Sequence, residues 1–194
     1  MDFGTLGYDA FMRYFEKNGL DAMRSRVLQG VAGRVLELGP GTGINLGYYD
    51  SRKITSLTYL DLKIRPGLVK KARALCPDIT LRTGDAGGLP FEDGSFDHVV
   101  FTLVFCSVAD PIKGLQEVRR VLRPGGTLHF IEHVQPPGGL LRPVFNQLNP
   151  LWRRIAGGCN LNRSTLELMT EVFSEVRVVD RRFSDIFVGG TARP

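Results

Sequence analysis

Cysteine is scarce in this sequence. Cys76, Cys106 and Cys159 are the only three among 194 residues. Their odd number and wide spacing argue against a disulfide framework and against a zinc site, so we expect no metal and a reducing compartment. Neither Cys106 nor Cys159 has an evident base in the sequence, and we interpret both as small buried apolar residues and not as nucleophiles.

Long apolar runs and basic runs are absent too. No stretch reaches the roughly 18 apolar residues that span a bilayer, and the first residues show no charged leader before an apolar segment. We therefore expect a cytoplasmic protein. Lys and Arg number 25 against 20 Asp and Glu, without a basic cluster. This pattern predicts no nucleic-acid partner and is compatible with a weak peripheral membrane contact.

The composition is that of an ordinary folded protein, with 43% hydrophobic and 23% charged residues. A chain of this length forms one domain with a well-buried core, so we expect a single domain over residues 1–194. Strand-like runs alternate with helical patterns such as 66–75 and the helix that Asp110 and Pro111 begin. The predicted strands cover 34–38, 55–60, 79–82, 97–104, 127–134, 175–182 and 185–190. This alternation predicts an α/β fold with a doubly wound, mostly parallel seven-stranded sheet, helices on both faces and an antiparallel last strand.

Two segments lie outside the predicted cofactor-binding half, which covers 34–134. Residues 1–30 predict a helical lid of two short helices broken around Asn18 and Gly19, and 135–162 predict an amphipathic insertion that caps a substrate. A helix and two strands over 163–194 complete the domain. Aromatic side chains in the two segments are either lid residues around an apolar pocket or core residues. They are Tyr8, Phe11, Phe145 and Trp152.

The strongest chemical signal is the glycine turn 37–43, Glu-Leu-Gly-Pro-Gly-Thr-Gly, which directly follows the first predicted strand and precedes a helix. Glycines there allow a tight turn and a close approach to a ligand. Asp61 ends the second strand, where an acid can accept hydrogen bonds from ribose hydroxyls, and Asp85 follows the third. Taken singly, the glycine turn is an ordinary turn and each aspartate is an ordinary loop acid. Their order on three successive strands, however, predicts a nucleoside-type ligand. A dinucleotide site requires a third glycine where Ile44 stands, which argues against phosphates in the ligand.

With these residues the sequence resembles the class I S-adenosylmethionine-dependent methyltransferases, in the type 11 subgroup. The matching segments are 35–43, Asp61, 84–86, 89–91, 93–97 and 117–126. The resemblance implies S-adenosylmethionine as cofactor and S-adenosylhomocysteine as product. It also implies that Glu37, Gly39 and Gly41 shape the methionine pocket, that Asp61 holds the ribose, that Asp85 and Ala86 address the adenine, and that Thr102 and Leu103 line the inner edge. Pro40 and Leu62 are assigned to the same cofactor site.

A closer similarity covers about residues 30 to 180. The segments 103–108, 132–134 and 152–163 are similar to the membrane-associated thiol methyltransferases of animals. Those relatives carry an apolar amino-terminal membrane segment that this sequence does not show. The resemblance therefore suggests a thiol acceptor without implying membrane residence.

His133 is the candidate catalytic residue because it stands at the carboxyl end of the fifth predicted strand. It assists a small apolar acceptor or is a hydrogen-bonded structural histidine, whereas Glu132 alternates to the opposite face. His98 and His129 lie inside strands and are interpreted as packing residues. A thiol needs little help, since its ordinary pKa near 8.5 leaves a few per cent thiolate at neutral pH. The alternatives are a phospholipid or quinone/phenol methyltransferase at a membrane surface and a non-catalytic cofactor-binding protein.

Overall fold

The computed structural model describes residues 12–76, 78–136 and 138–194. A helical segment from residue 12 ends in the π-helical turn Glu16–Leu20, which is kinked at Gly19. The helices that follow are α1 Asp21–Leu28, α2 Pro66–Leu75, α3 Pro111–Val121, α4 Leu141–Ile155 and α5 Thr165–Val172. The strands are β1 Gly33–Leu38, β2 Ile54–Asp61, β3 Ile79–Thr83, β4 Phe96–Thr102, β5 Leu122–His133, β6 Glu175–Arg182 and β7 Phe187–Arg193.

The seven strands form one sheet in the order β3-β2-β1-β4-β5-β7-β6. Strands β1 to β5 run parallel, and β7 pairs antiparallel with both β5 and β6. The predicted fold class is thereby confirmed, including the antiparallel last strand. The strand order reverses between β1 and β4, and such a reversal opens a crevice at the carboxyl ends of the strands, where ligands bind.

The core lies on both faces of the sheet. On one face, α3 and α5 bury Leu115, Val118 and Met169 against Phe101 and Phe130. On the other face, α1 and α2 cover the sheet, with side chains that include Met23, Val27, Leu68 and Ala72. The near-continuous apolar character of the central strands follows from this double coverage. The predicted cap of α3 is also confirmed, because the Asp110 carboxylate accepts a hydrogen bond from the Lys113 N–H at 3.1 Å.

Several elements differ from the sequence-based expectation. Strand β5 begins at Leu122 and not at residue 127, and β7 covers Phe187–Arg193 and not 185–190, because Ser184 and Asp185 have left-handed φ values of +55° and +64°. Strand β4 ends at Thr102 and not at Val104, because Leu103 takes a left-handed conformation with φ of +58°. The glycine turn leads into a short 3-10 helix, Ile44–Tyr48, and not into a regular α-helix. In agreement with its helical spacing, the insertion contains a helix, α4, of which no residue is fully buried. Tyr8 and Phe11 lie outside the described residues. Among the described residues, no helix has the length and apolar character needed to cross a bilayer.

Candidate active site

The glycine turn adopts a backbone that only glycine adopts easily. Gly39, Gly41 and Gly43 have φ values of +59°, +56° and +78°. A Cβ on Gly39 would lie 2.5 Å from Cγ2 of Val104, and one on Gly43 would lie 2.6 Å from Cδ1 of Leu68. The turn is therefore held by both conformation and close packing at the carboxyl end of β1.

A buried polar network lies beneath this turn. The Glu37 carboxylate accepts hydrogen bonds from Asn45 Nδ2 at 2.8 Å and from the Tyr49 hydroxyl at 2.7 Å. Burial raises the pKa of Glu37 to about 7. A carboxylate with two such partners fixes the 3-10 helix that follows the turn, so Glu37 shapes the turn from below.

The network extends to the helical segment before α1. Arg24 donates from Nη1 to Asn45 Oδ1 at 2.7 Å and to Thr102 Oγ1 at 2.9 Å. Its other nitrogens donate to both carboxylate oxygens of Glu16, at 2.7 and 3.1 Å. Sequence reasoning missed Arg24, Glu16 and Asn45, because no local pattern joins residues that are up to 78 positions apart.

A cavity of about 240 Å³, the glycine-turn cavity, opens at the carboxyl ends of β1, β2 and β3. Its lining residues include Leu38, Gly39, Asp61, Leu62, Gly84, Asp85, Ala86, Val104, Ser107 and Val108. Two carboxylates face this cavity without a Lys, Arg or His among the described lining residues. Such a wall suits a ligand with hydroxyl groups and positive charge, and it repels phosphates. This electrostatic pattern agrees with the argument from Ile44 against a dinucleotide.

Both carboxylates are already partly engaged. Asp61 accepts hydrogen bonds from the N–H groups of Gly41 at 3.3 Å and Lys63 at 3.2 Å, and Asp85 accepts one from Gly87 at 2.7 Å. Each carboxylate can accept about four hydrogen bonds, so acceptor capacity remains on both. The contact with Gly41 also links Asp61 to the glycine turn.

The structure brings together part of the predicted cofactor set. Gly39, Asp61, Leu62, Asp85 and Ala86 line the glycine-turn cavity. The remaining members of the set lie elsewhere. Pro40 and Gly41 form the turn itself, Glu37 and Thr102 belong to the buried network, and Leu103 lines a different cavity.

That second cavity, the apolar cavity, has a volume of about 210 Å³. It is lined by Met12, Phe15, Leu103, Cys106, His133, Phe145, Leu148, Trp152, Cys159, Leu161, Ile186 and Phe187. No Asp, Glu, Lys or Arg belongs to this described lining. Of the aromatic residues proposed as lid candidates, Phe145 and Trp152 contribute to the wall from α4.

His133 lies in this wall between two aromatic rings. Its ring stacks on Phe145 with 6.1 Å between centroids and meets the edge of Phe187 at 5.6 Å. Burial lowers the pKa of His133 to about 4, so the imidazole is neutral at neutral pH. Its buried Nδ1 has no partner on another described residue. The ring is therefore positioned by packing and keeps hydrogen-bonding capacity for a ligand.

Glu132 points to the other side of β5 and organises the loop after β4. Its carboxylate accepts hydrogen bonds from the N–H groups of Val104 and Phe105, both at 2.8 Å, and of Cys106 at 3.1 Å. Burial raises the pKa of Glu132 to about 7. Glu132 is thus a positioning residue for the loop.

The carbonyl groups of the same loop are also held. Arg163 donates to the carbonyl oxygens of Phe105 at 2.5 Å and Val108 at 2.6 Å, and Asn160 donates to that of Cys106 at 2.8 Å. Residues 103–108 form a wall between the two cavities. Val104 and Ser107 line the glycine-turn cavity, whereas Leu103 and Cys106 line the apolar cavity.

The cysteines are buried, as interpreted from the sequence for Cys106 and Cys159, whereas of the other two histidines His129 is buried and His98 is half-buried. The Cys106 and Cys159 thiols hydrogen-bond each other, and this contact together with burial raises the pKa of Cys106. His98 and His129 form a separate pair, with 2.9 Å between Nδ1 of the first and Nε2 of the second. His98 and His129 line neither cavity.

Comparison with known proteins now identifies the family. A family profile described as methyltransferase domain matches residues 36–130. Human thiol S-methyltransferase TMT1B is 39% identical over 159 residues, which cover 78% of this chain and 65% of the relative. The chain belongs to the class I S-adenosylmethionine-dependent methyltransferases. It spans less than two thirds of the length of TMT1B, the curated relative with which it shares that identity.

Two further proteins are similar to this chain, one in sequence and one in fold. Demethylmenaquinone methyltransferase from Renibacterium salmoninarum is 36% identical over 114 residues, covering 59% of this chain and 47% of that enzyme. The S-adenosylmethionine-dependent methyltransferase from Mesorhizobium loti shares the fold, with a TM-score of 0.66 and 21% identity over 90% of this chain and 96% of that one. The family's cofactor fits the glycine-turn cavity, because the carboxylates of Asp61 and Asp85 suit its hydroxyl groups and its positive charge.

Proposed function

We propose that this methyltransferase transfers the methyl group of S-adenosylmethionine to a small apolar thiol. The observation that carries the proposal is the apolar cavity, in which His133 meets a wall free of charged side chains, on the other side of residues 103–108 from the glycine-turn cavity. The 39% identity to a thiol S-methyltransferase supports the same acceptor class. Cofactor contacts of Gly39, Asp61 and Asp85 belong to this proposal.

The cofactor supplies a methyl group on a sulfonium, which is already a strong electrophile. The protein has to align the acceptor and exclude water. Rings from Phe145, Trp152 and Phe187 exclude water from the apolar cavity. The hydrogen bonds of Glu132 and Arg163 hold the wall at residues 103–108 rigid, so both cavities keep their relative position.

His133 handles the proton of the acceptor. The neutral imidazole of His133 would accept the thiol proton while the thiol is methylated, and would then release it to solvent. Because burial lowers the pKa of His133 to about 4, the imidazolium releases that proton readily at neutral pH. Glu132 is excluded from this role since its carboxylate faces the loop after β4.

A quinol or phenol is the second acceptor class, favoured by the 36% identity to a demethylmenaquinone methyltransferase. An aromatic ring would also fit among Phe145, Trp152 and Phe187. Purified protein and cofactor incubated separately with aliphatic thiols, quinols, phenols, amines and phospholipids would decide by mass spectrometry of the methylated products. We expect the highest kcat/KM for thiols. Turnover of quinols or lipids without turnover of any thiol would reject the thiol, and no turnover at all would leave a cofactor-binding protein.

A further inference from the structure

Helix α4 carries an uncovered apolar stripe. Leu141, Val144, Leu148, Leu151 and Ile155 recur at helical spacing and are 42 to 61% exposed, and none of the residues of α4 is fully buried. The preceding Leu140 is 88% exposed. Single exposed leucines are ordinary on protein surfaces, but a continuous stripe along four turns of helix indicates a partner.

The rest of this helix surface is cationic. Arg142, Arg153 and Arg154 are exposed on α4, and the chain has no acidic residue between Glu132 and Glu167. At 100° per residue, Arg142 and Arg153 lie on the side of the helix opposite the apolar stripe and Arg154 lies about 100° from the centre of the stripe, so none of them interrupts it. This combination of an apolar stripe with arginines on the polar side of the helix is characteristic of helices that lie in the surface of anionic membranes.

The stripe is continuous with the apolar cavity. Leu148 both lines the cavity and is 49% exposed, and its neighbours Phe145 and Trp152 on the same helix line the cavity wall. A surface that covered the stripe would therefore also cover this side of the cavity.

We propose that α4 lies in the surface of an anionic phospholipid bilayer, with the stripe from Leu141 to Ile155 among the acyl chains and the arginines at the headgroups. Covering by a second copy of the chain is less favourable electrostatically. In an isologous dimer along this stripe, two copies of α4 would come together, each with three arginines and without an acid on the helix to compensate.

The test is sedimentation of the full chain with vesicles of phosphatidylcholine alone and of phosphatidylcholine with phosphatidylserine, without cofactor or acceptor. We expect binding to the anionic vesicles that weakens as salt rises from about 0.05 to about 0.5 M. The variant V144E/L151E should bind about tenfold more weakly or worse. R153A/R154A should bind weakly and lose most of the salt dependence.

The control is V179E, which places the same acid on a side chain of β6 that is 44% exposed and far from α4 in sequence. It should bind like the unaltered protein, and circular dichroism should show that all variants are folded. Equal binding by V144E/L151E, or no binding to anionic vesicles at low salt, would overturn the proposal. A dimer in sedimentation velocity that V144E/L151E dissociates would assign the stripe to a second copy instead. Since no acceptor is present, these outcomes are independent of the proposed thiol chemistry.

Discussion

At the scale of single residues, His133, the base in the proposed reaction, has an unusually low pKa for that role. Burial lowers its pKa to about 4, whereas a free thiol has a pKa near 8.5. Complete proton transfer before methyl transfer would be uphill by about 6 kcal/mol. In the proposed reaction the proton would therefore move while the carbon–sulfur bond forms, which is general-base assistance and not prior ionisation.

This reasoning predicts the pH dependence of His133 variants. The imidazole is neutral throughout pH 6 to 8, so kcat/KM of the unaltered enzyme with a thiol should change little in that range. In H133A only preformed thiolate reacts, and the rate should rise about tenfold per pH unit, with a loss on the order of 10²–10⁴ at pH 7. H133Q, which keeps a hydrogen-bond acceptor but no base, should follow H133A. Parallel pH profiles for H133A and the unaltered enzyme would return His133 to a structural role.

Asp61 permits a second test at this scale. D61N keeps one oxygen for the Gly41 N–H but removes the charge that faces the glycine-turn cavity. We expect affinity for S-adenosylhomocysteine, measured by calorimetry, to fall by about 1.5–3 kcal/mol, the value of a hydrogen bond to a charged group. D50N changes a half-buried aspartate that pairs with Arg52 and does not line the glycine-turn cavity, and it should bind normally. Unchanged affinity in a folded D61N protein would place the ribose elsewhere.

At the scale of elements, the wall formed by residues 103–108 depends on residues from two other elements. Glu132 on β5 holds three of its N–H groups, and Arg163, just before α5, holds two of its carbonyl groups. Leu103 adopts its left-handed backbone within this frame, and its N–H donates to the carbonyl of Ile131 at 2.7 Å. Such a conformation persists only where the surroundings determine it.

The variant E132Q tests that frame. An amide offers one acceptor oxygen and places N–H groups opposite the backbone N–H of Cys106, so at least one buried hydrogen bond is lost. We expect the free energy of unfolding in urea to fall by about 1–3 kcal/mol and KM for the acceptor to rise. E167Q alters an exposed glutamate of α5 and is the matched control. Equal stability of the two variants would show that the wall does not depend on Glu132.

The elements themselves were largely predictable, because each follows from local patterns. Buried parallel strands read as apolar runs, and α2 begins at Pro66 as expected. The 3-10 helix after the glycine turn was not predicted, because it depends on hydrogen bonds that Asn45 donates to Glu37 on β1 and to Thr102 on β4. The alternation of side chains along β5 predicted that Glu132 and His133 point to opposite faces of the sheet, but it could not show that Glu132 holds the loop after β4. Long-range partners of this kind leave no periodic signal in the sequence.

At the scale of the whole molecule, buried titratable groups make stability depend on pH in opposing ways. Burial lowers the pKa of His129 to about 4, so between pH 6.5 and 4 the unfolded chain takes up a proton that the folded chain refuses. The contribution of His129 to the free energy of unfolding is full above pH 6.5 and is lost as the pH falls to 4. Glu37 and Glu132, with pKa values raised to about 7, contribute fully below pH 4.5, and that contribution is lost as the pH rises to 7.

The contribution of His129 can be isolated by comparing the pH dependence of the unfolding free energy between the unaltered protein and the variant H129Q. His129 donates from Nδ1 to the carbonyl of Val27 at 2.7 Å and so accepts from His98 through Nε2. H129Q removes the titration, and the decline in unfolding free energy between pH 6.5 and 4 should become shallower by up to about 1.4 kcal/mol per pH unit. Urea titrations at several pH values measure this, with H98Q as the companion variant. Identical slopes for H129Q and the unaltered protein would contradict the assignment.

Because the wall of the apolar cavity carries no charge, binding of the proposed acceptor there resembles its transfer from water into an organic solvent. Each added methylene of a thiol gains about 0.8 kcal/mol on leaving water, which lowers KM about fourfold until the roughly 210 Å³ of space is filled. Acceptors should then rank by their oil–water partition coefficients more than by their acidity. Short polar thiols with carboxylate or ammonium groups, which are abundant in any cell, should be poor substrates, because no residue of that wall can pair with their charges.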